Sequence, residues 1–347
     1  VQPLALSLLP VEAGEEAIAG AFSVGRGAIA RATLTGIDLI ELEPGRSRAT
    51  VRERIATPFA AQPWGVQLTP GGVVALGGEV SQARVEPRDW RMRLVWWSRA
   101  ERAWRGEARL PPGNWRLVRG TADDERAVVY DVSEEQGVVG YDVDTRTALW
   151  HAPLPSLWRL GRDGDGALIA LTRDRRLFAL DERSGVIFRQ ATLPLAATHA
   201  WTAAAPLDDD WLLLGGAHRE RRAWVLARFR LSDEAVEPVA ELSWSAVADE
   251  ELVARCESDA EHCGFDLGDV ANLVVEGPRA LVALGGDGEQ LGACQSACAL
   301  ALVSLSDGVL RVALVDRDNG SSGLAPLGDG CYLSDCGGTL CVVRVSA

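Results

Sequence analysis

The stretch "GGVVALGGEV", residues 71 to 80, decides the fold. Four consecutive apolar residues, Val73 to Leu76, stand between two glycine pairs, and two of the four are β-branched. So short a run bounded by glycine reads as a buried strand, because a helix needs about ten residues of 3.6-residue periodicity. The pattern returns as "WLLLGGAHRE" at 211 to 220 and as "LVALGGDGEQ" at 281 to 290. Recurrence of one apolar unit along a chain is the mark of a repeat architecture. The glycine pairs that follow these runs read as turn residues, free to adopt positive φ.

Outward from this stretch the chain keeps the same grammar. Short apolar segments alternate with Gly, Asp, Asn and Pro, and only "AVADEELVARC" at 246 to 256 has a helical pattern. Two copies of a three-strand unit are clear, "ERAVVYDVSEEQGVVGYDVDTRTALWHAPLP" at 125 to 155 and "GALIALTRDRRLFALDERSGVIFRQATLP" at 166 to 194. Four looser copies make six, with third-strand landmarks at Leu42, Trp97, Tyr141, Leu180, Leu231 and Leu305. A four-stranded propeller blade takes about 40 to 50 residues, which fits most of these intervals. The longest, from Leu231 to Leu305, holds Cys256 to Cys263 and reads as an insertion at 248–269.

Two strand-like pieces remain, "VQPLALSLLP" at the start and "GLAPLGDGCYLSDCGGTLCVVRVSA" at the end. Each alone leaves an unpaired sheet edge, and together they complete a seventh blade. The expected fold is therefore all-β: a single domain over 1–347, a seven-bladed β-propeller of four-stranded antiparallel blades. Its ring is closed by the N-terminal strand joining the C-terminal blade. The blades fall at 11–60, 61–112, 113–155, 156–196, 197–247, 270–318, and 319–347 plus 1–10.

At "VVGYDVDTRTALW", residues 138 to 150, the unit resembles the repeat of PQQ-like and BamB-like β-propellers. In that repeat an acidic residue, a Thr-Gly turn and a Trp follow an apolar strand. Asp142, Thr145 and Trp150 match, and Arg146 stands where the family has Gly. The next copy has Asp181, Ser184 and Gly185, with Arg189 in the place of the Trp, and a later one keeps only the turn, Ser306, Asp307 and Gly308. The resemblance implies a propeller and, as in BamB-like members, a protein that holds partners. Quinoprotein dehydrogenases share the repeat, but the adjacent cysteine pair found in many of them is missing, and no cofactor is expected.

Charge and cysteine usage set the context. The chain carries 35 basic and 49 acidic residues, a formal net charge of −14. A surface of that sign repels phosphate backbones and excludes nucleic acid as the expected partner. Every basic residue is Arg, so lysine Schiff-base chemistry and P-loop phosphate binding are excluded as well. No apolar run approaches the roughly 20 residues of a membrane-spanning helix, so membrane association is expected only through a partner or a lipid anchor. The seven cysteines, Cys256, Cys263, Cys294, Cys298, Cys331, Cys336 and Cys341, form short-range groups and read as disulfide candidates. Free thiols and zinc are the alternatives, although the spacings lack the two-residue knuckle of typical zinc sites. Disulfides imply a periplasmic or extracellular location. "VQPLALSLLP" lacks the features of a signal peptide, so an exported protein is represented by its mature form.

Candidate chemistry is sparse. Four histidines (His151, His199, His218, His262) and no G-x-S-x-G elbow give nucleophilic catalysis no foothold. Asp163 with Asp165, Asp208 to Asp210, and Asp316 with Asp318 offer oxygen ligands to calcium, as hairpin-turn residues of the same type also do. The Arg- and Trp-rich stretch "RDWRMRLVWWSRAERAWR", residues 88 to 105, supplies a candidate partner surface: Arg91, Arg93, Trp96, Trp97 and Trp104. The expected function is that of a non-catalytic scaffold or protein-binding subunit of a larger cell-envelope or extracellular assembly. The alternative is a ligand-binding or enzymatic propeller that uses its central channel.

Overall fold

The computed structural model describes residues 2–3, 6–10, 17–25, 28–42, 49–59, 63–78, 90–118, 125–132, 136–155, 157–162, 166–193, 199–208, 210–218, 220–246, 270–284, 298–316, 323–328, 330–336 and 339–345. Nearly all of them are strand or turn. The chain opens with β1 (Gln2–Pro3) and β2 (Leu6–Pro10), and then runs through successive antiparallel sheets.

One compact unit, Val11–Gln190, holds the sheets of the N-terminal half. The first is β3 (Ala17–Gly25), β4 (Ala28–Thr33), β5 (Gly36–Leu42) and β6 (Ala49–Ala56), and the second β7 (Pro63–Thr69), β8 (Gly72–Gly78), β9 (Met92–Ser98) and β10 (Ala103–Arg109). The third is β11 (Trp115–Leu117), β12 (Arg126–Asp131), β13 (Val138–Asp142) and β14 (Ala148–Ala152). The fourth is β15 (Leu157–Arg162), β16 (Ala167–Thr172), β17 (Arg176–Asp181) and β18 (Ile187–Thr192), whose last two residues, Ala191 and Thr192, fall in the second unit. Each is a meander whose neighbours in sequence are neighbours in the sheet.

The second unit joins Val1–Pro10 to Ala191–Ala347. Its first sheet is β19 (His199–Pro206), β20 (Trp211–His218), β21 (Ala223–Arg230) and β22 (Val236–Ser243), followed by a 3₁₀ turn at Trp244–Ala246. Next come β23 (Val270–Glu276), β24 (Arg279–Leu284), β25 (Cys298–Ser304) and β26 (Leu310–Asp316). The last sheet is β27 (Gly323–Gly328), β28 (Cys331–Cys336), β29 (Thr339–Val345) and β2, whose Leu8 pairs antiparallel with Val343. The N-terminal strand thus supplies the fourth strand of the C-terminal sheet. β1 does something unforeseen: it lies parallel on β26, Gln2 opposite Arg311 and Pro3 opposite Val312, as a fifth strand on the outside of that sheet. The helical pattern at 246–256 and the insertion at 248–269 lie outside the described residues, apart from Ala246, which ends the 3₁₀ turn.

Packing explains why "VVAL" is continuous instead of alternating. Val73 and Ala75 of β8 enter a core shared with Ala30, Ile37 and Leu39 of the first sheet. Val74 and Leu76 enter another, shared with Trp115, Ala127 and Val129 of the third. A sheet covered on both faces must be apolar on both, so the period-2 alternation disappears. The same geometry corrects the expectation for the double glycines. Gly77 and Gly215 lie within strands, paired with Arg93 and Leu226, and neither has positive φ. They are small because a side chain closes on them: a Cβ at Gly77 would lie 2.6 Å from the Phe59 ring, and one at Gly215 2.8 Å from Val270. Gly285 and Gly286, the third pair, lie outside the described residues.

Candidate protein-binding surface

Where one sheet meets the next, a single device recurs. The turn between third and fourth strand places one residue in the left-handed region: Arg102 (φ 50°), Arg146 (φ 62°), Gly185 (φ 69°), Glu234 (φ 58°) and Gly308 (φ 68°). That residue meets the fourth strand of the preceding sheet. Arg102 Nη2 donates to Glu53 Oε1 at 2.8 Å, Arg146 Nη1 donates to the Arg105 carbonyl, and Glu234 Oε1 accepts from the Thr192 amide at 3.0 Å. Trp150 covers Gly185, and the Val239 carbonyl covers Gly308.

The fourth strands are shaped for this. Register slips around Arg52 in β6, Arg105 and Gly106 in β10, Leu149 in β14 and Val239 in β22, so each carries a bulge at or beside its contact. A bulge bends the strand and lifts its backbone out of the ladder, which makes the carbonyls and small residues at these points available to the neighbouring turn.

Trp150 is the most developed case. Its indole lies between Gly140 of its own sheet and Gly185 of the next, and a Cβ at either glycine would lie within 2.3 or 2.4 Å of the ring. Its Nε1 donates to the Glu182 carbonyl at 2.9 Å. Glu182 in turn is buried and pairs with Arg162 at 2.7 Å. Asp142 and Asp181 organise the two turns. Asp142 Oδ1 accepts from the Thr145 amide at 2.6 Å and its hydroxyl at 2.8 Å, and Asp181 Oδ1 from the Ser184 amide at 2.8 Å and its hydroxyl at 2.7 Å. These bonds favour the ionised carboxylates: the Thr145 amide first and its hydroxyl second lower the pKa of Asp142, and the Ser184 hydroxyl first lowers that of Asp181.

The anchored indole also defines what is left uncovered. Leu149, at the bulge beside it, is 46% exposed, and Val186, Ile187 and Phe188, directly after Gly185, are 59%, 41% and 57% exposed. Four large apolar side chains therefore flank one anchored contact on the fourth-strand edges of the third and fourth sheets. They belong to no motif. The one sequence signal for them is the uninterrupted "VIF" of a fourth strand, where β6 has "VRER" and β22 has "VEP".

The residues expected to form a partner surface are distributed differently. Trp96 and Trp97 are core residues, 4% and 5% exposed, because successive positions of β9 face opposite covered sides of its sheet. Trp104 is half-buried against the core between the first two sheets, its Nε1 donating to the Ala56 carbonyl at 2.9 Å. Arg93 is engaged with Glu107, the Pro58 carbonyl and the Phe59 ring. Of the five, Arg91 is the exposed one.

The remaining candidates carry less. Asp163, Asp165 and Asp318 lie outside the described residues, as does the side chain of Asp316 at the end of β26. Asp208 accepts from the Asp210 and Trp211 amides, both at 2.9 Å, the usual work of a turn aspartate. Among the described residues no three His, Cys, Asp or Glu side chains gather to hold a metal ion. His218 is buried, His151 is exposed against the Gln136 carbonyl, and His262 and the side chain of His199 lie outside the description. Cys331 is a free, buried thiol, which corrects its place among the disulfide candidates. Its Cα register partners on the two adjacent strands are Gly328 and Arg344, neither of them a cysteine. Cys256, Cys263 and Cys294 lie outside the described residues, and so do the side chains of Cys298, Cys336 and Cys341. No helix among the described residues is long and apolar enough to cross a membrane.

No protein-family model matches the chain, and no curated protein does. Among solved structures it is similar to the β-propeller domain of Cps50 (Swd1) from Myceliophteria thermophila, with a TM-score of 0.59 over 99% of this chain and 100% of that one. Sequence identity is 12%, so the likeness speaks of fold alone. With seven successive antiparallel sheets, six of four strands and one enlarged to five by β1, the chain is an all-β, seven-bladed β-propeller.

Proposed function

We propose that this propeller is a non-catalytic scaffold, a protein-binding subunit of a larger assembly in the cell envelope or extracellular space. The observation that carries the reading is the exposed apolar strip, Leu149 and Val186 to Phe188, on a chain of net charge −14. Scattered exposed apolar residues are ordinary on any protein, whereas a cluster held in place by an anchored tryptophan marks an interaction site. The Asp142, Thr145 and Trp150 pattern supports the envelope setting, since it resembles the BamB-like repeat, and the grouped cysteines suit an oxidising compartment. Native mass spectrometry of the protein purified gently from its own source tests this. A stoichiometric protein partner is expected; a lone monomeric species overturns the reading.

A further inference from the structure

We propose that Cys298, which opens β25, and Cys336, which closes β28, form a disulfide that clasps the sixth blade to the seventh, the blade completed by β2. The proposal rests on the oxidising compartment of the scaffold reading and says which cysteines that compartment joins.

The ladder first removes the pairing that the sequence groups suggest. In the hairpin of β28 and β29, Cys331 lies opposite Arg344, Cys336 opposite Thr339 and Cys341 opposite Ser334. Alternation puts Cys331 on one face of the sheet and Cys336 with Cys341 on the other. Cys336 and Cys341 are diagonal neighbours, which stand about 7 to 8 Å apart. Cysteines whose Cα atoms are more than about 7 Å apart cannot be bridged without moving the backbone. No pair inside "CYLSDCGGTLC" is therefore placed to bond.

The face that holds Cys336 and Cys341 is the one shared with the sixth blade. Tyr332 lies on it in β28 and Val343 in β29, and both pack with Leu281, Ala283, Leu300 and Leu302 of β24 and β25. Cys298 is on the face of β25 that holds Leu300 and Leu302, because the register slip beside it takes its extra residue from β26 and leaves the alternation of β25 intact. Cysteine-bearing faces of the two blades thus meet across one core. A disulfide between facing sheets is the bridge that immunoglobulin domains use.

Height selects the partner. The second and third strands of the sixth blade pair from Arg279 and Ser304 to Leu284 and Ala299, and those of the seventh from Cys331 and Arg344 to Cys336 and Thr339. Both ladders have six pairs, so Cys336 corresponds to Leu284, and Cys298 stands one residue beyond that level. Cys341, opposite Ser334, lies two residues deeper.

The bond forms by thiol–disulfide exchange. The thiolate of one cysteine attacks a small-molecule or protein disulfide and releases one thiol, and the thiolate of the other then displaces the second. Two cysteines lose two electrons and two protons, and the oxidant is reduced to two thiols. With Cys256 and Cys263 paired, Cys294 and Cys341 are left to each other, and the number of possible bonds stays at three.

The test uses the full chain equilibrated with reduced and oxidised glutathione, alkylated, and cut after Arg by trypsin without reductant. Residues 280–311 and 318–344 are then two peptides, the first with Cys294 and Cys298, the second with Cys331, Cys336 and Cys341. Local pairing leaves them separate. One joined species is expected, resolved by fragmentation to a Cys298–Cys336 link with Cys331 alkylated. Cys298→Ser leaves Cys336 alkylated, and Cys331→Ser changes nothing. Reduction of the wild type speeds amide exchange in β2 and β28 at least about ten-fold, as the seventh blade loses its clasp. Separate peptides, a link from Cys298 to Cys331 or Cys341, or exchange that reduction does not alter overturns the proposal. Because the oxidant is supplied, the outcome does not depend on the compartment. Joined peptides here beside free thiols in protein from its own source sink the oxidising compartment alone, whereas locally bonded peptides in both sink the pairing alone.

Discussion

The indole of Trp150 lies on Gly185, across the boundary between the third and fourth blades, at a point where a single added methyl would stand 2.4 Å from the ring. Gly185 is also left-handed, at φ 69°. Gly185→Ala therefore meets two obstacles, backbone strain and overpacking, and is expected to cost about 2 to 3 kcal/mol in urea unfolding. In a Trp150→Ala background only the backbone strain remains. The same change should then cost about 1 kcal/mol, a coupling of at least about 1 kcal/mol between the two sites. Additive costs would mean that the ring and the turn do not bear on each other.

Arg146 occupies the corresponding left-handed position one blade earlier, where the resembling repeats have Gly. A non-glycine residue there carries about 1 to 2 kcal/mol of strain. The guanidinium recovers part of it by reaching the Arg105 carbonyl, and it packs over Gly106, whose Cβ would stand 2.8 Å from Arg146 Cδ. The two terms nearly offset. Arg146→Gly is expected to change stability by less than about 1 kcal/mol, while Arg146→Val, which keeps the strain and loses the bond, destabilises by about 1 to 2 kcal/mol. Equal losses in the two variants would show that the side chain, and not the backbone, governs the site.

The repeat itself is legible in the residues, because turns and apolar runs are local. Leu42, Trp97, Tyr141 and Leu180 lie in the third strands of four successive sheets, and Leu231 and Leu305 directly follow two more. What is hidden is which faces are covered. Trp96 and Trp97 look like a surface aromatic pair beside arginines, and become core only because blades stack on both sides of β9. Gly77 looks like a turn glycine until Phe59 is seen to close on it. The strip from Val186 to Phe188 reads like any other apolar strand, since exposure of a fourth strand depends on blade order and not on its own composition. The fifth strand β1 is invisible for a different reason: Gln2–Pro3 is too short to carry periodicity, and its partner is more than three hundred residues away.

The turn carboxylates make a pH prediction with a definite sign. Asp181 titrates below the ordinary 3.8 because the Ser184 hydroxyl, and then its amide, bond the ionised form. A carboxylate with a depressed folded pKa contributes stability that is present above its unfolded pKa and is lost as pH falls through the folded value. Carboxyl-detected NMR titration should place Asp181 and Asp142 below 3.8. Ser184→Ala should raise Asp181 toward the ordinary value and leave Asp142 where it was. An Asp181 that titrates normally in the wild type removes this account of the turn.

Cysteine accounting tests the compartment. With Cys331 free and buried, the other six cysteines are even in number and match the grouping expected of three disulfides. Protein prepared from its own source, unfolded without reductant and alkylated, should then take up a single label, at Cys331. The native protein should take up that label slowly, because a buried thiol reacts only when its strand opens. Loss of three such cross-links in a chain of this size is expected to lower stability by several kcal/mol, read as a fall in urea midpoint on reduction. Seven labels without reductant would mean that no disulfide forms, and would remove the support that the grouped cysteines lend to the proposed oxidising compartment.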